Sequence, residues 1–146
     1  MVITASPREL TRRQLLSRGT AAGASFLIGA GFVAAPNAAW AVEMNAISPK
    51  AFATLVQMAR DIYPHDQVGD EFYVIAVKGY DTGEAAEGIE MGIAGLDAAA
   101  RGKGHASYLD MGWERDRVDI LRGMEGSAFF QQIRGGLVTG LYNQKD

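Results

Sequence analysis

Two histidines are the first residues to consider for chemistry, because imidazole can act as a base or bind a metal ion near neutral pH. His65 precedes Asp66, and His105 follows Gly104, each in a segment that we predict to be a loop. Neighbouring residues rarely converge on one ion, and the sequence near His65 holds no His-x3-His or Glu-x2-His pair. We therefore expect both histidines to be solvated.

A row of carboxylates at helical spacing is the second candidate for chemistry. Its members are Glu84, Glu87, Glu90 and Asp97. Paired carboxylates can perform acid–base catalysis, but such a row is more often the solvated face of a helix. We favour the second interpretation.

Motifs for a nucleophile or a phosphate cradle are incomplete. The Gly-x-Ser-x-Gly turn needs a glycine two residues before and two residues after the serine, and Ser127 has neither. Gly88, Gly92 and Gly95 match neither a dinucleotide fingerprint nor a P-loop, and they indicate a close approach of another helix or local flexibility. We therefore predict no catalytic, cofactor-binding or metal-binding residue in this chain, which would not be an enzyme by itself.

The composition excludes several kinds of site. The chain has 146 residues, a net charge of −3 and no cysteine. The absence of cysteine excludes disulfides, thiolate catalysis and cysteine-bound metal clusters. The first 41 residues hold four arginines and one glutamate, a net charge of +3, so the remaining 105 residues carry −6. That acidic remainder argues against nucleic acid as a partner, because its phosphates need clustered Lys and Arg.

The N-terminal segment has the features of an export signal. Thr11, Arg12 and Arg13, with Leu15 and Leu16 after them, closely resemble the twin-arginine (Tat) consensus. An uncharged run rich in Gly and Ala follows from 19 to 35, and it is short and weakly apolar for a membrane span. These features predict export through the Tat translocase.

A cleavage site follows the apolar run. Ala39-x-Ala41 supplies the two small side chains that signal peptidase accepts. We predict a twin-arginine signal peptide over 1–41, cleaved after Ala41, and a periplasmic helical domain over 42–146. A Sec signal with a coincidental arginine pair and an uncleaved membrane anchor are the alternatives.

Residues 42–146 show helical periodicity. Ser48-Pro49 predicts an N-cap and a first helical residue, and apolar residues then recur at three- and four-residue spacing until Pro64. Similar patterns predict further helices, which begin near Asp70, at Glu84, at Asp110 or Gly112, and after Ser127. No strand alternation of any length is present. The expected fold is all-α, a small bundle of four to five helices behind the cleavable signal peptide.

Four aromatic side chains are candidates for a partner interface: Trp113, Phe129, Phe130 and Tyr142. Aromatic anchors at helical spacing are common in interfaces made by helices. A core position is the alternative for each of them. For the adjacent Phe129 and Phe130 we favour the core, although neighbouring helical residues point about 100° apart and one ring can face outward.

The motifs, taken in order, resemble a known family. The leader is followed by Phe52-x2-Leu55-Val56-x2-Ala59-Arg60-Asp61-Ile62-Tyr63-Pro64 and, near the C-terminus, by Met124-Glu125-Gly126-Ser127-x-Phe129-Phe130-x2-Ile133-Arg134. This arrangement is similar to the gluconate 2-dehydrogenase subunit 3 family in its Tat-leader form. The similarity covers nearly all of the predicted mature chain.

The resemblance implies a non-catalytic accessory subunit. In that family the small subunit binds a large flavin-dependent sugar or alcohol dehydrogenase of the glucose–methanol–choline type, which usually has no leader and is exported with its partner's signal. FAD is then expected in the partner, and a cytochrome c subunit or another acceptor takes the electrons. Any membrane association would run through this complex. Family members tend to continue past Tyr142-Asn143 with an aromatic, Gly-rich tail, whereas this sequence stops at Asp146.

Two other functions stay open on the sequence alone. One is an exported helical binding module unrelated to redox chemistry. The other is a small periplasmic enzyme that uses His65 and the carboxylates.

Overall fold

Helix dominates the fold, and a small sheet precedes the helices in the chain. The structure is a computed structural model that describes residues 20–23, 26–36, 39–64 and 69–143, with the backbone alone at 20–23 and 141–143. The predicted predominance of helix is confirmed. The expectation of a fold without strands is wrong, because four short strands form an antiparallel sheet.

The sheet is built from consecutive strands: β1 (Thr20–Gly23), β2 (Phe26–Gly29), β3 (Phe32–Ala34) and β4 (Ala41–Glu43). Ile28 pairs with Val33, and Val33 pairs in turn with Val42. Gly31 makes the turn between β2 and β3 with φ of +85°, a conformation that glycine adopts without strain. The strands are only three or four residues long and almost entirely apolar, so they lack the period-two alternation by which a strand is recognised in a sequence.

Five α-helices follow: α1 (Pro49–Ile62), α2 (Asp70–Lys78), α3 (Gly83–Gly102), α4 (Glu114–Gly123) and α5 (Ala128–Asn143). A 3-10 turn at Tyr108–Asp110 lies between α3 and α4. The predicted start of α4 at Asp110 or Gly112 is early, since Trp113 is the N-cap residue. The segment around Phe72, which has strand propensity in isolation, is helical as expected.

Side-chain caps fix three of the helix starts. Ser48 Oγ accepts the backbone N–H of Ala51 at 3.3 Å, and Pro49 occupies the first turn of α1 as the sequence predicts. Thr82 Oγ1 caps α3, and Ser127 Oγ accepts the N–H of Phe130 at the start of α5.

Helix α1 is the central element of the core. Its apolar residues Phe52, Leu55 and Val56 are fully buried, and the helix packs against α2, α3, α4, α5 and the sheet. Helices α2 and α5 approach closely where Gly140 lies against Ala76. A side chain larger than glycine at that position would press on the α2 backbone.

The sheet contributes side chains to the same core as the helices. Phe26, Ile28, Val33, Trp40 and Val42 belong to one apolar cluster with α1. Phe26 and Trp40 meet edge to face, with ring centroids 6.1 Å apart. Residues 26–35 of the apolar run that predicts a signal peptide are therefore part of the folded protein in this structure.

The predicted domain boundary after Ala41 falls inside strand β4. Ala41 and Val42, on either side of it, are buried. Among the described residues, none of the helices combines the length and the apolar character that crossing a membrane requires.

Candidate partner-binding surface

A buried carboxylate organises the end of the fold where α1 meets α4. Asp61 lies in the last turn of α1 and is 7% exposed. Its carboxylate accepts a hydrogen bond from Tyr108 Oη at 2.6 Å and two from Arg117, from Nε at 2.8 Å and from Nη2 at 3.2 Å. Gln57 Nε2 donates a further bond at 3.2 Å. The carboxylate thereby joins α1, the 3-10 turn and α4.

Two proton-bearing groups of this network, the Tyr108 hydroxyl and the Arg117 guanidinium, have raised pKa values. Burial, reinforced by the Asp61 carboxylate, raises the pKa of Tyr108. Burial is the largest single influence on Arg117 and opposes its charge, but the hydrogen bond to Asp61 and the nearby negative charges together outweigh burial and raise the pKa of the guanidinium. Tyr108 therefore stays neutral and Arg117 stays charged near neutral pH. The hydrogen bonds of these two groups to Asp61 hold the 3-10 turn and α4 against α1.

A cleft opens beside the network, between the end of α1, α4 and α5. Its volume is about 560 Å³, and its walls carry apolar and charged side chains: Ile62, Leu121, Phe130, Arg122, Glu125 and Arg134. Phe130 and Leu121 are buried, whereas the three charged residues are exposed. An apolar floor with a charged rim is suited to an amphipathic ligand or to a side chain of a partner protein.

Trp113 is the most exposed of the large apolar side chains in the described part of the chain. It is 73% exposed and occupies the N-cap position of α4. Its backbone carbonyl accepts the N–H groups of Asp116 and Arg117, so its main chain is fixed by the helix start. An indole held in water on a fixed backbone is a suitable anchor for a partner.

The other predicted interface residues lie elsewhere. Phe130 is 8% exposed and lines the cleft, and Phe129 is half-buried against Gly92 of α3. Both rings therefore belong mainly to the packing between helices, which is the alternative that the sequence favours. Tyr142 lies in α5, and its side chain is outside the described residues. Among the three of these residues whose side chains are described, Trp113 is the one that is open to solvent.

Of the residues that we predict to direct export and cleavage, only the cleavage pair lies within the described part of the chain. Thr11, Arg12, Arg13, Leu15 and Leu16 lie outside the described residues. Of the predicted cleavage pair, Ala39 is exposed and Ala41 is buried in β4.

Two members of the carboxylate row have structural partners. Glu90 accepts the backbone N–H of Ser48 at 2.7 Å and so supports the start of α1. Asp97 accepts the N–H of Tyr108 at 3.0 Å. Glu84 and Glu87 are exposed, as a solvated face predicts. The row does not converge on one point.

The histidines do not form a site in the described structure. His65 lies outside the described residues, and His105 is half-buried with its backbone N–H bonded to the Ala100 carbonyl. Over residues 20–143, as far as they are described, no group of three His, Cys, Asp or Glu residues is arranged to hold a metal ion.

The sequence alone did not predict that four charged residues form ion pairs in the interior. Asp61, Lys78, Asp81 and Arg117 carry the ion pairs that lie in the interior. The only signal in the sequence was position. Asp61 lies within the predicted first helix, between the apolar residues Ala59 and Ile62. Lys78 and Asp81 lie three residues apart at the end of a helix. Position in the sequence does not show that Asp61 pairs with Arg117, because the two residues are 56 positions apart in the chain.

Comparison with known proteins gives no further assignment: no family model, no curated protein and no solved structure matches this chain.

Proposed function

We propose that this chain is a non-catalytic accessory subunit that escorts a flavin-dependent dehydrogenase through Tat export and stabilises it in the periplasm. The partner carries FAD and oxidises a sugar, a sugar acid or an alcohol. A cytochrome c subunit or another acceptor receives the electrons. The motif order from Thr11 to Arg134, which resembles the gluconate 2-dehydrogenase subunit 3 family, supports this proposal.

The exposed indole of Trp113 is the observation that carries the binding part of the proposal. A tryptophan that is 73% exposed leaves a large apolar surface in water. Tryptophan is enriched among the residues that dominate protein interfaces. The Asp61 network ties α4 to α1 and to the 3-10 turn, so this anchor at the start of α4 is held on a rigid support.

The test is co-expression of the full chain with a leaderless flavoprotein of the glucose–methanol–choline type. Trp113→Ala should lower the affinity of the complex by about thirtyfold, the effect of a central anchor worth about 2 kcal/mol. Met91→Ala is the matched control, since Met91 is 69% exposed on α3. Titration of the flavoprotein with each variant gives the affinities, and the far-UV CD of both variants should equal that of the wild type.

The export part of the proposal has its own readout. Arg12→Lys combined with Arg13→Lys should keep both proteins in the cytoplasm, because the flavoprotein depends on the leader of its partner. Fractionation followed by a flavin absorbance scan measures this. Normal export of both proteins by the double variant would refute the escort role.

A second candidate is an exported binding module for a small amphipathic ligand, which the cleft of about 560 Å³ favours. Arg122→Ala would then weaken ligand binding while Trp113→Ala would not. A stable complex with the flavoprotein decides in favour of the accessory subunit.

A further inference from the structure

The predicted cleavage bond, between Ala41 and Val42, lies in the interior of the folded chain. Ala41 is 1% exposed and Val42 is 0% exposed. Val42 belongs to the main apolar cluster, which also contains Phe26, Val33 and Trp40. The two residues that a peptidase would separate are therefore both held by tertiary packing.

The backbone around this bond is also paired. Ala41 and Val42 face Ala34 and Val33 across the β3–β4 ladder. The N–H of Ala35 donates to the Trp40 carbonyl at 3.0 Å, just before the strand begins. After the strand, the N–H of Met44 donates to the Gly31 carbonyl at 2.9 Å. Hydrogen bonds thus close the ladder on both sides of the cleavage bond.

The segment that follows β4 is clamped to the helical body. The backbone N–H groups of Asn45, Ala46 and Ile47 donate to the Asp81 carboxylate at 2.7, 2.7 and 2.8 Å. Asp81 is itself paired with Lys78 at 2.7 Å, and both side chains are buried. Strand β4 is therefore fixed at its C-terminal end as well as along its edge.

A peptidase generally binds its substrate as an extended segment whose backbone groups pair with the enzyme. Those groups must be free, so cleavage of a folded protein requires local opening of the segment. We propose that the folded domain itself protects the Ala41–Val42 bond, so that the β2–β4 meander acts as a latch. The latch keeps the apolar run of the leader covered, and processing follows only when the meander is pulled away from α1. This inference rests on the predicted leader, which is part of the proposed function.

The chemistry of the step is simple hydrolysis. Water adds across the Ala41–Val42 peptide bond and leaves a carboxylate on Ala41 and an amino group on Val42. The latch controls access to that bond and takes no part in the chemistry.

The test compares the purified full chain in detergent with a synthetic peptide of residues 32–46, each incubated with purified signal peptidase. The peptide contains the bond without the helical body. We expect the full chain to be cut after Ala41 at least about tenfold more slowly than the peptide, since the bond is reached only in the opened state. Equal rates for the folded chain and the peptide would overturn the proposal.

Two variants separate the latch from a general effect. Val33→Asp places a charge in the core under the sheet, where Val33 is 0% exposed, and should raise the cleavage rate to near that of the peptide. Ala30→Asp changes an exposed residue in the turn between β2 and β3 and should be cut as slowly as the wild type. Fast cleavage of both variants would contradict the latch.

Hydrogen exchange keeps the test decisive if Val33→Asp unfolds the whole domain. In the wild type the amides of Ala35 and Met44 should exchange slowly, because both are bonded across β3–β4. Unprotected exchange at both amides would overturn the proposal. If signal peptidase never cuts the peptide, the Ala41–Val42 bond is not a cleavage site, and the proposal is overturned as well. Failure of the escort function is seen separately, in the export of the flavoprotein by the arginine-pair variant.

Discussion

At the scale of single residues, Asp81 holds the sheet to the helices. Its carboxylate is buried and accepts three backbone N–H groups from the segment after β4, in addition to the Lys78 ammonium. Burial alone would raise its pKa, but the bond to Lys78 and the three backbone bonds outweigh burial and lower it. The charged carboxylate is therefore the form that the folded chain stabilises.

Asp81→Asn should lower the free energy of unfolding at pH 7 by about 2–4 kcal/mol, because Lys78 is left buried without its counter-charge. The contribution of Asp81 is fully present above its unfolded pKa near 4 and is lost as the pH falls through its lowered folded pKa. The difference in the free energy of unfolding between the wild type and Asp81→Asn should therefore become smaller below about pH 4. Urea denaturation over pH 3–7 measures it.

Asp119→Asn is the control for this experiment, because Asp119 lies exposed on α4. Its free energy of unfolding should stay within about 0.5 kcal/mol of the wild type at each pH. A variant at Asp81 that behaves like the one at Asp119 would contradict the assigned role.

At the scale of elements, one glycine sets the distance between α3 and α5. A Cβ built at Gly92 would lie 2.5 Å from Cγ of Phe129. The two other glycines in the middle of the same helix, Gly88 and Gly95, have open space at the corresponding position. The close approach that the sequence indicates is therefore specific to Gly92.

Gly95→Ala should stabilise the protein by about 0.5–1 kcal/mol, because alanine is the better helix former and nothing opposes its methyl group. Gly92→Ala should lose that gain and destabilise by about 1–3 kcal/mol through the forced movement of Phe129. Thermal and urea unfolding of the two variants form a matched comparison. Equal stabilities would show that Phe129 moves aside at no cost.

At the scale of the whole molecule, the sheet and the helical bundle share one core. Phe26, Ile28, Val33 and Trp40 are buried against α1, although all four precede the predicted cleavage site. Cleavage would remove these side chains and uncover the apolar surface that they cover. A chain cleaved at that site would expose this apolar surface to water.

A chain of residues 42–146 should be several kcal/mol less stable than the full chain, because each large apolar side chain contributes about 1.5–3 kcal/mol when it is buried. Such a loss is a large part of the about 5–15 kcal/mol typical of a domain. A chain that lacks only residues 1–18 retains the four strands and serves as the control. Urea denaturation gives both values, and equal stability of the two truncated chains would contradict the shared core.

The sequence predicts the helical part of this protein well. Ser48, Pro49 and Pro64 mark α1 correctly, and Ser127 marks the start of α5. These signals are local, since a cap or a proline acts within one turn of the helix. The strands escaped prediction because they are very short and because the mostly apolar sequence over 26–42 is equally typical of a signal peptide.

The sequence by itself determined the positions of the helices, the acidic net charge and the motif order on which the proposed function rests. Only the tertiary structure decided which polar groups meet, because Asp61 and Arg117, like Asp81 and Asn45, are far apart in the chain. It also decided that Trp113 lies in water while Phe130 is buried. An aromatic residue contributes the same apolar area in either place, and the packing of neighbouring elements determines whether a partner can reach it.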